Sequence, residues 1–278
     1  MADVSDIPHL VRLLDDESES VKETVWKELS VFGPLLMDEI VRQKIQLDEH
    51  QETMVRAIMA GENRQWLKLR WRSWFDLDDD KTKLERGLLL IAMFQSGRSN
   101  ENKLKILLDE LAEEYASNHL EYDVLTLTHF LFKLKEFRGE KDDYYNPLNS
   151  NLIRVIETRR GIPISLACLY ILVGHRLHLK VEGCNFPGHF LARILVGDQR
   201  VVVDCFNGGK LFYEKDLINP DNPIFFTDND FKRFECTAEI ILIRVLRNLI
   251  YAYQQTGDDD NMKLMIELVD MMDVNLKE

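Results

Sequence analysis

The amino-acid sequence predicts an α+β protein, and three changes of pattern along the chain lead to that prediction. Apolar residues recur at helical spacing through most of residues 1–139. Between residues 188 and 205 the apolar period changes to two, as in antiparallel strands. Helical spacing returns in residues 237–272, on either side of a turn at residues 257–260. We therefore expect a mainly helical N-terminal region, a central core of helix plus antiparallel sheet, and a C-terminal helical pair.

The first helices are marked by short apolar stretches separated by polar turns. Residues 7–14 form one stretch, and a second stretch with helical spacing ends at Gly33-Pro34. The pair resembles a single helical hairpin of the HEAT type. Solenoids of this type need about three or more stacked units, and no second copy is found. One helical pair packed on its neighbours is therefore favoured over a repeat-built binding surface.

The charge balance disfavours two classes of partner. The 278 residues include 35 Lys and Arg against 48 Asp and Glu, which gives a formal net charge of −13. Long nucleic acids and anionic membranes are held by clustered positive charge, so we expect neither as a partner. Residues 66–74 interleave aromatic and basic side chains, as in single-strand binding sites. Leu67, Trp71 and Trp74 fall on one helix face, however, and this favours core packing.

The net charge is unevenly distributed along the chain. Residues 151–210 contain eight basic and four acidic side chains, a local charge of +4, so the other 218 residues carry −17. A carboxylate-bearing peptide could approach this basic segment even though the chain as a whole is acidic. The partner expected from charge is therefore a protein or an extended peptide, and the oligomeric state stays open.

Targeting and metal-binding signals are weak. Apolar runs such as Leu88–Phe94 are far shorter than the roughly 18 residues of a membrane helix. The N-terminus carries acid where a secretory signal carries base, so we expect a cytoplasmic protein. Four widely spaced cysteines without a CxxC pair predict reduced thiols and no metal site: Cys168, Cys184, Cys205 and Cys236. No cofactor is expected.

The strand-like segment predicts a hairpin that brings two titratable side chains together. A two-residue loop at Gly197-Asp198 places Val196 opposite Gln199. Counting back along both strands makes His189 and Asp204 diagonal neighbours on the same face. An imidazole beside a carboxylate can act as the base and the orienting group of a catalytic triad. A structural hydrogen bond is the alternative interpretation.

A nucleophile is expected at the N-terminus of a helix, where the exposed N–H groups lower a thiol pKa. Asn149 or Ser150 is predicted to cap a helix over residues 152–158, and Pro163 is predicted to open the next helix, which runs to about residue 177. That helix offers Ser165 and Cys168 as candidate nucleophiles. Ser165 could instead cap the turn, and Cys168 lies among apolar residues, as a buried structural thiol would.

Five residues are the candidates for binding a partner: Asn207, Gly208, Arg160, Tyr145 and Asn149. The turn at residues 207–209 could offer backbone N–H groups to an anion, although a tight turn that leaves the strand is the simpler interpretation. Arg160 could bind a ligand or form an ion pair with Glu157. Tyr145 and Asn149 belong to the turn-rich segment 144–150.

Four segments carry a specific resemblance to a known family: Tyr144–Ser150, Val155–Ser165, Phe186–Leu191 and Val203–Gly209. In this order they resemble the bacterial SirB-type family of transglutaminase-like proteins. The C-terminal helical pair, with its aromatic residues near position 251, is similar to the tetratricopeptide-like unit that this family commonly bears. The resemblance implies a papain-like core and, in the wider superfamily, acyl transfer, amide hydrolysis or cross-linking.

The resemblance also assigns roles residue by residue. The superfamily uses a Cys at a helix N-terminus with a His and an Asp from adjacent strands, and His189 and Asp204 match the last two. The position of the nucleophile falls on Pro163, which cannot attack a carbonyl. The first hypothesis is therefore a domain that has lost its nucleophile and acts as a peptide-binding or regulatory scaffold.

Two other functions are compatible with the sequence. One is a hydrolase or acyltransferase in which Cys168 or Ser165 acts with His189 and Asp204. The other is a helical adaptor that uses its N-terminal and C-terminal helical pairs. The predicted domains are residues 1–60 (HEAT-like hairpin and following helix), 61–139 (helical part of the family domain), 140–236 (transglutaminase-like core) and 237–278 (tetratricopeptide-like pair).

Overall fold

The structure is a computed structural model that describes residues 3–33, 35–96, 101–186, 188–217 and 236–275. The chain divides into two compact units, residues 1–72 and residues 73–278. Among the described helices, none combines the length and the apolar content needed to cross a bilayer. Each unit has its own buried core and is described separately below.

The first unit is helical, as predicted. Its helices are α1 (Ile7–Arg12), α2 (Glu19–Ser30), α3 (Leu35–Arg42) and α4 (Glu49–Trp74), and the last residues of α4 belong to the second unit. The predicted boundary after residue 60 falls inside α4. Apolar side chains from all four helices form one core: Ile7, Val11, Leu14, Val25, Leu29, Leu36, Ile40, Val55 and Ile58. Near the end of α4, Leu67, Trp71 and Trp74 are fully buried, which fits core packing.

Among the described residues, the second unit contains the remaining α-helices: α5 (Asp80–Ser96), α6 (Lys103–Asn118), α7 (Val124–His129), α8 (Leu152–Thr158), α9 (Pro163–Arg176), α10 (Glu214–Leu217), α11 (Ala238–Thr256) and α12 (Asp259–Asn275). A π-helical turn at Phe130–Leu134 extends α7. Helix α9 lies at the centre, because every residue from Pro163 to Gly174 is buried. Helices α11 and α12 form the predicted C-terminal pair, with Gly257 in the left-handed conformation at φ 73° between them.

The strands in the described part of the second unit form two sheets. The larger is antiparallel in the order β3 (Glu182–Cys184), β4 (Leu191–Val196), β5 (Gln199–Asp204) and β6 (Lys210–Tyr213). The smaller is a parallel pair of β1 (Arg138–Gly139) and β2 (Arg160–Gly161). Strands β4 and β5 pair Val196 with Gln199, which is the register that the sequence predicts. The α+β fold class is confirmed.

The prediction of the α8 cap is wrong by one residue. Asn151, rather than Asn149 or Ser150, caps the helix, and its Oδ1 accepts a hydrogen bond from the N–H of Arg154 at 3.1 Å. The cause is a 3₁₀ turn at Pro147–Ser150, which Asn146 caps through the N–H of Leu148. This turn contains both predicted cap residues, so the cap falls on the next residue, while α8 spans Leu152–Thr158 as predicted. Pro163 opens α9, as expected.

Candidate functional site

A hydrogen bond joins His189 to Asp204 at one end of the β4–β5 hairpin. The His189 Nε2 lies 2.9 Å from the Asp204 Oδ1, so the predicted neighbours are in direct contact. Asp204 is the last residue of β5, while His189 precedes β4 and is positioned by a hydrogen bond from its N–H to the carbonyl of Phe186. The His189 side chain is 31% exposed and that of Asp204 only 10%. The imidazole can therefore meet a ligand, whereas the carboxylate acts through the imidazole.

The turn after β5 keeps Asp204 ionised. The backbone N–H of Asn207 donates to Oδ1 at 3.1 Å and its side-chain amide donates to Oδ2 at 2.7 Å. Burial alone would raise the pKa of Asp204, but the hydrogen bonds from His189 and Asn207 outweigh burial and lower that pKa. Because an ionised carboxylate only accepts hydrogen bonds, Nε2 of His189 carries the proton. In a neutral imidazole, Nδ1 is then the acceptor.

The Asn207–Gly209 segment is the tight turn that the simpler interpretation predicts. Gly208 and Gly209 have φ of 71° and 73°, and the N–H of Gly209 donates to the carbonyl of Asp204 at 2.9 Å. A Cβ at Gly209 would overlap the Phe132 side chain. Since the Asn207 donors are engaged with Asp204, this residue positions the carboxylate rather than offering its N–H to a ligand.

Phe206 connects the His–Asp pair to the start of α9. Its ring lies edge-on to His189 with centroids 6.2 Å apart, and its carbonyl accepts the N–H of Gly139 at 2.9 Å. The next N–H, of Glu140, donates to the carbonyl of Gly161, two residues before Pro163. The short parallel sheet thus ties the turn after β5 to the N-terminus of α9, where the resemblance places the nucleophile.

Cys168 lies deep inside the second unit. It is fully buried in the second turn of α9, and burial raises the pKa of its thiol far above the usual value. Burial also raises the pKa of Cys184 to about 12 and that of Cys205 well above its usual value. These three thiols are protonated at neutral pH and are poor nucleophiles in this conformation.

Ser165 is committed to a structural hydrogen bond. The side chain is buried, and Oγ donates to the backbone carbonyl of Asn149 at 2.7 Å. A serine nucleophile must donate its proton to its base. In this conformation the Ser165 proton is directed to Asn149 instead, and the bond fastens the start of α9 to the turn before α8.

The remaining candidate binding residues differ in accessibility. Asn149 is buried, and its amide donates to the carbonyls of Asp143 and Tyr144. Tyr145 is 46% exposed, and Arg160 is half-buried on β2 beside Arg138. The alternative ion pair of Arg160 with Glu157 is wrong: Glu157 pairs with Lys103 at 2.6 Å. The reason is that α8 ends at Thr158, so residues 157 and 160 share no helix face.

The sequence analysis did not single out three aromatic residues near the site. Phe206 lies within the motif of residues 203–209, and its signal was the hairpin register, which places it opposite His189. Tyr144 packs edge-on to Phe206 at 6.0 Å. Tyr251 contacts Tyr145 at 5.2 Å although the two are more than 100 positions apart. Sequence periodicity carries no signal for such a long-range contact.

Comparison with known families agrees with this geometry. The sequence model described as "Transglutaminase-like superfamily" matches residues 98–247, which include α9, the four-stranded sheet and both members of the His–Asp pair. The chain belongs to the transglutaminase-like superfamily. It is also a member of the UPF0162 family. The UPF0162 protein of Xylella fastidiosa (strain 9a5c) is 34% identical over 200 residues, or 67% of this chain and 70% of that protein.

Other relatives match this superfamily member over shorter segments. The UPF0162 protein of Vibrio cholerae is 33% identical over 73 residues, which is 26% of this chain and 27% of that protein. F-box only protein 21 of Mus musculus is 38% identical over 81 residues, which is 29% of this chain and 13% of that protein. No solved structure matches the chain.

Proposed function

We propose that this protein is a SirB-type, non-catalytic member of its superfamily, which binds an extended peptide segment of a partner protein as a regulatory scaffold in the cytoplasm. One observation carries the proposal: the His189–Asp204 pair is formed, while Pro163 stands at the position that the resemblance assigns to the nucleophile. Proline has no group that can attack a carbonyl. The site therefore keeps the base and the carboxylate that orients it, and lacks the group that would react with a substrate.

The surroundings of His189 support a binding role. The imidazole is partly exposed and is flanked by the Phe206 ring and, beyond it, by Tyr144. Aromatic side chains offer large contact areas at a low entropic cost. The segment 151–210 that holds the pair has a local charge of +4, which suits a ligand with carboxylates. The C-terminal pair α11–α12 is proposed to act as a tetratricopeptide-like unit beside this site.

A second candidate function is amide hydrolysis or acyl transfer with Cys168 or Ser165. The formed hydrogen bond between His189 and Asp204 favours it, because this bond is the base-and-orienter half of a triad. It requires a rearrangement of α9 that exposes Cys168 or releases Ser165 from Asn149. The buried positions of both side chains favour the scaffold.

Selection of linear peptides on the full chain tests the proposal. A phage-displayed library of random linear peptides is selected on the immobilised protein, and the strongest binder is synthesised with a fluorophore. We expect His189→Ala to weaken binding by about tenfold, as for a group at the centre of a contact. His129→Ala, at the exposed end of α7, is the matched control and should leave binding unchanged.

The same peptide also distinguishes the scaffold from the enzyme. After prolonged incubation with the full chain, we expect its mass to be unchanged and no adduct on the protein. Failure to select any linear peptide would overturn the scaffold proposal. A cleaved peptide, or a covalent adduct on Cys168 or Ser165, would establish the enzyme instead.

A further inference from the structure

A row of aromatic rings leads away from His189. The centroid distances are 6.2 Å from His189 to Phe206 and 6.0 Å from Phe206 to Tyr144. The row continues at 5.3 Å to Tyr145 and at 5.2 Å to Tyr251 on α11. Each contact is edge-on, which is an arrangement that aromatic pairs prefer. The three tyrosines are 40%, 46% and 48% exposed, respectively.

The row is held in place by two polar side chains, the buried Asn149 and the half-buried Gln95. The Asn149 amide donates to the carbonyls of Asp143 and Tyr144 at 2.6 and 3.2 Å, which anchors the segment that carries Tyr144 and Tyr145. The amide of Gln95 donates to the carbonyl of Pro147 at 3.0 Å. A surface fixed in this way loses little conformational entropy on binding a ligand.

Two arginines stand on the α11 face that carries Tyr251. Arg244, Arg247 and Tyr251 are spaced by three and four residues, so they share one face of the helix. Arg244 donates to the Oδ1 of Asn185 at 3.3 Å, four residues before His189. The positive charge of Arg244 also acts on Tyr144 in the row of rings. Burial and Tyr145 raise the pKa of Tyr144, and Arg244 opposes that rise.

These arginines face a cleft with a positive balance. The cleft has a volume of about 450 Å³, and its charged lining residues are Arg244, Arg247 and Asp273. Among the described residues, neither arginine forms an ion pair. In a chain of net charge −13, two guanidinium groups beside a single carboxylate form a local site for an anion.

We propose that the tyrosine–arginine surface, defined as Tyr144, Tyr145, Arg244, Arg247 and Tyr251, binds an acidic, extended peptide whose carboxylates pair with the arginines and whose apolar side chains pack on the tyrosines. The inference rests on the proposed function and names the class of its ligand. Arginine binds carboxylates through two parallel hydrogen bonds, and aromatic-lined grooves receive extended segments. Alternate side chains of an extended chain are about 6.6 Å apart, which is close to the spacing of the rings.

The peptide selection described above tests this inference with two added variants. We expect the selected peptides to be enriched in Asp or Glu together with aromatic residues or proline. The double variant Arg244→Glu/Arg247→Glu should weaken binding of the strongest peptide by more than tenfold, because attraction becomes repulsion. Lys263→Glu on α12 is the charge control, because Lys263 is exposed and lies outside the surface. The affinity of this variant for the peptide should stay within about twofold of the wild-type affinity.

A second variant tests the aromatic part of the surface. Tyr251→Ala should weaken binding of the same peptide by about three- to tenfold, since the substitution removes the exposed ring at the end of the row. If peptides are selected and depend on His189 but carry no acidic residues, or if the arginine variant binds them equally well, this inference fails while the proposed function stands. If single-stranded nucleic acid competes with the selected peptide at equal concentration, the ligand class is wrong.

Discussion

At the scale of single residues, the His189–Asp204 pair is the part of the site that the sequence predicts best. Counting outward from Gly197-Asp198 was enough, because the turn fixes the register and the pleat fixes the face. The partner of Ser165 could not be predicted in this way. Its hydrogen bond goes to the backbone carbonyl of Asn149, and backbone acceptors leave no residue-specific mark in a sequence.

The lowered pKa of Asp204 predicts how the stability of the second unit depends on pH. A carboxyl whose pKa is lower in the folded than in the unfolded state stabilises the fold above the unfolded value. Asp204 has a usual value of 3.8 and a lower value in the fold, so its contribution is lost as the pH falls below about 3.8. Asp204→Asn should cost about 1–3 kcal/mol at neutral pH, because the Asn207 amide loses an acceptor.

Denaturant unfolding at several pH values measures this effect. The stability difference between wild type and Asp204→Asn should shrink as the pH falls through the acid range. Asp198→Asn, in the exposed turn of the same hairpin, is the control and should show a small difference at every pH. A difference for Asp204→Asn that is constant down to about pH 3 would show that the carboxylate charge does not stabilise the fold.

At the scale of elements, the short parallel sheet explains how the site is held together. Its strands contain only two residues each, Arg138–Gly139 and Arg160–Gly161, which is too short for any sequence periodicity to predict them. They join the segment before α8 to the N-terminus of α9 and to Phe206 by backbone hydrogen bonds. By contrast, α9 and the β4–β5 hairpin were predictable, because Pro163 and the Gly197-Asp198 turn are strong local signals.

Gly139 is required by the close approach of Phe206 to this sheet. A Cβ at position 139 would overlap the Phe206 ring, so Gly139→Ala should destabilise the second unit by about 1–3 kcal/mol. Gly61→Ala is the matched control: its Cβ would enter open space within α4, and we expect a gain of about 0.5–1 kcal/mol. Thermal and denaturant unfolding of both variants measure the two effects.

A double-mutant cycle identifies the cause of the Gly139→Ala effect. Adding Phe206→Leu should recover part of the lost stability, because the smaller side chain leaves room for the new Cβ. If the two effects simply add, the ring of Phe206 is not what Gly139 accommodates, and the proposed link between the sheet and His189 loses its support.

At the scale of the whole molecule, the fold class and the order of the segments can be predicted from the sequence. The tyrosine–arginine surface cannot, because it depends on contacts between residues far apart in the chain. The helical first unit, the central α+β core and the final helical pair each have a local periodicity. The tyrosine–arginine surface joins Tyr145 to Tyr251 and Asn185 to Arg244, and these contacts arise only when α11 packs beside the core. Helix packing at such distances in sequence is set by tertiary structure.

The central claim is that the molecule keeps an oriented His–Asp pair without a nucleophile, and the reactivity of its cysteines tests this most directly. The measurement is alkylation of the native full chain by iodoacetamide, quantified at each cysteine by mass spectrometry, in wild type and in His189→Ala. At about pH 7 we expect Cys168, Cys184 and Cys205 to react more slowly than the same thiols in the unfolded chain, since all three are buried. Their rates should not change in the variant. A Cys168 that reacts faster than its unfolded reference, and that slows when His189 is removed, would contradict the account and identify an active thiol.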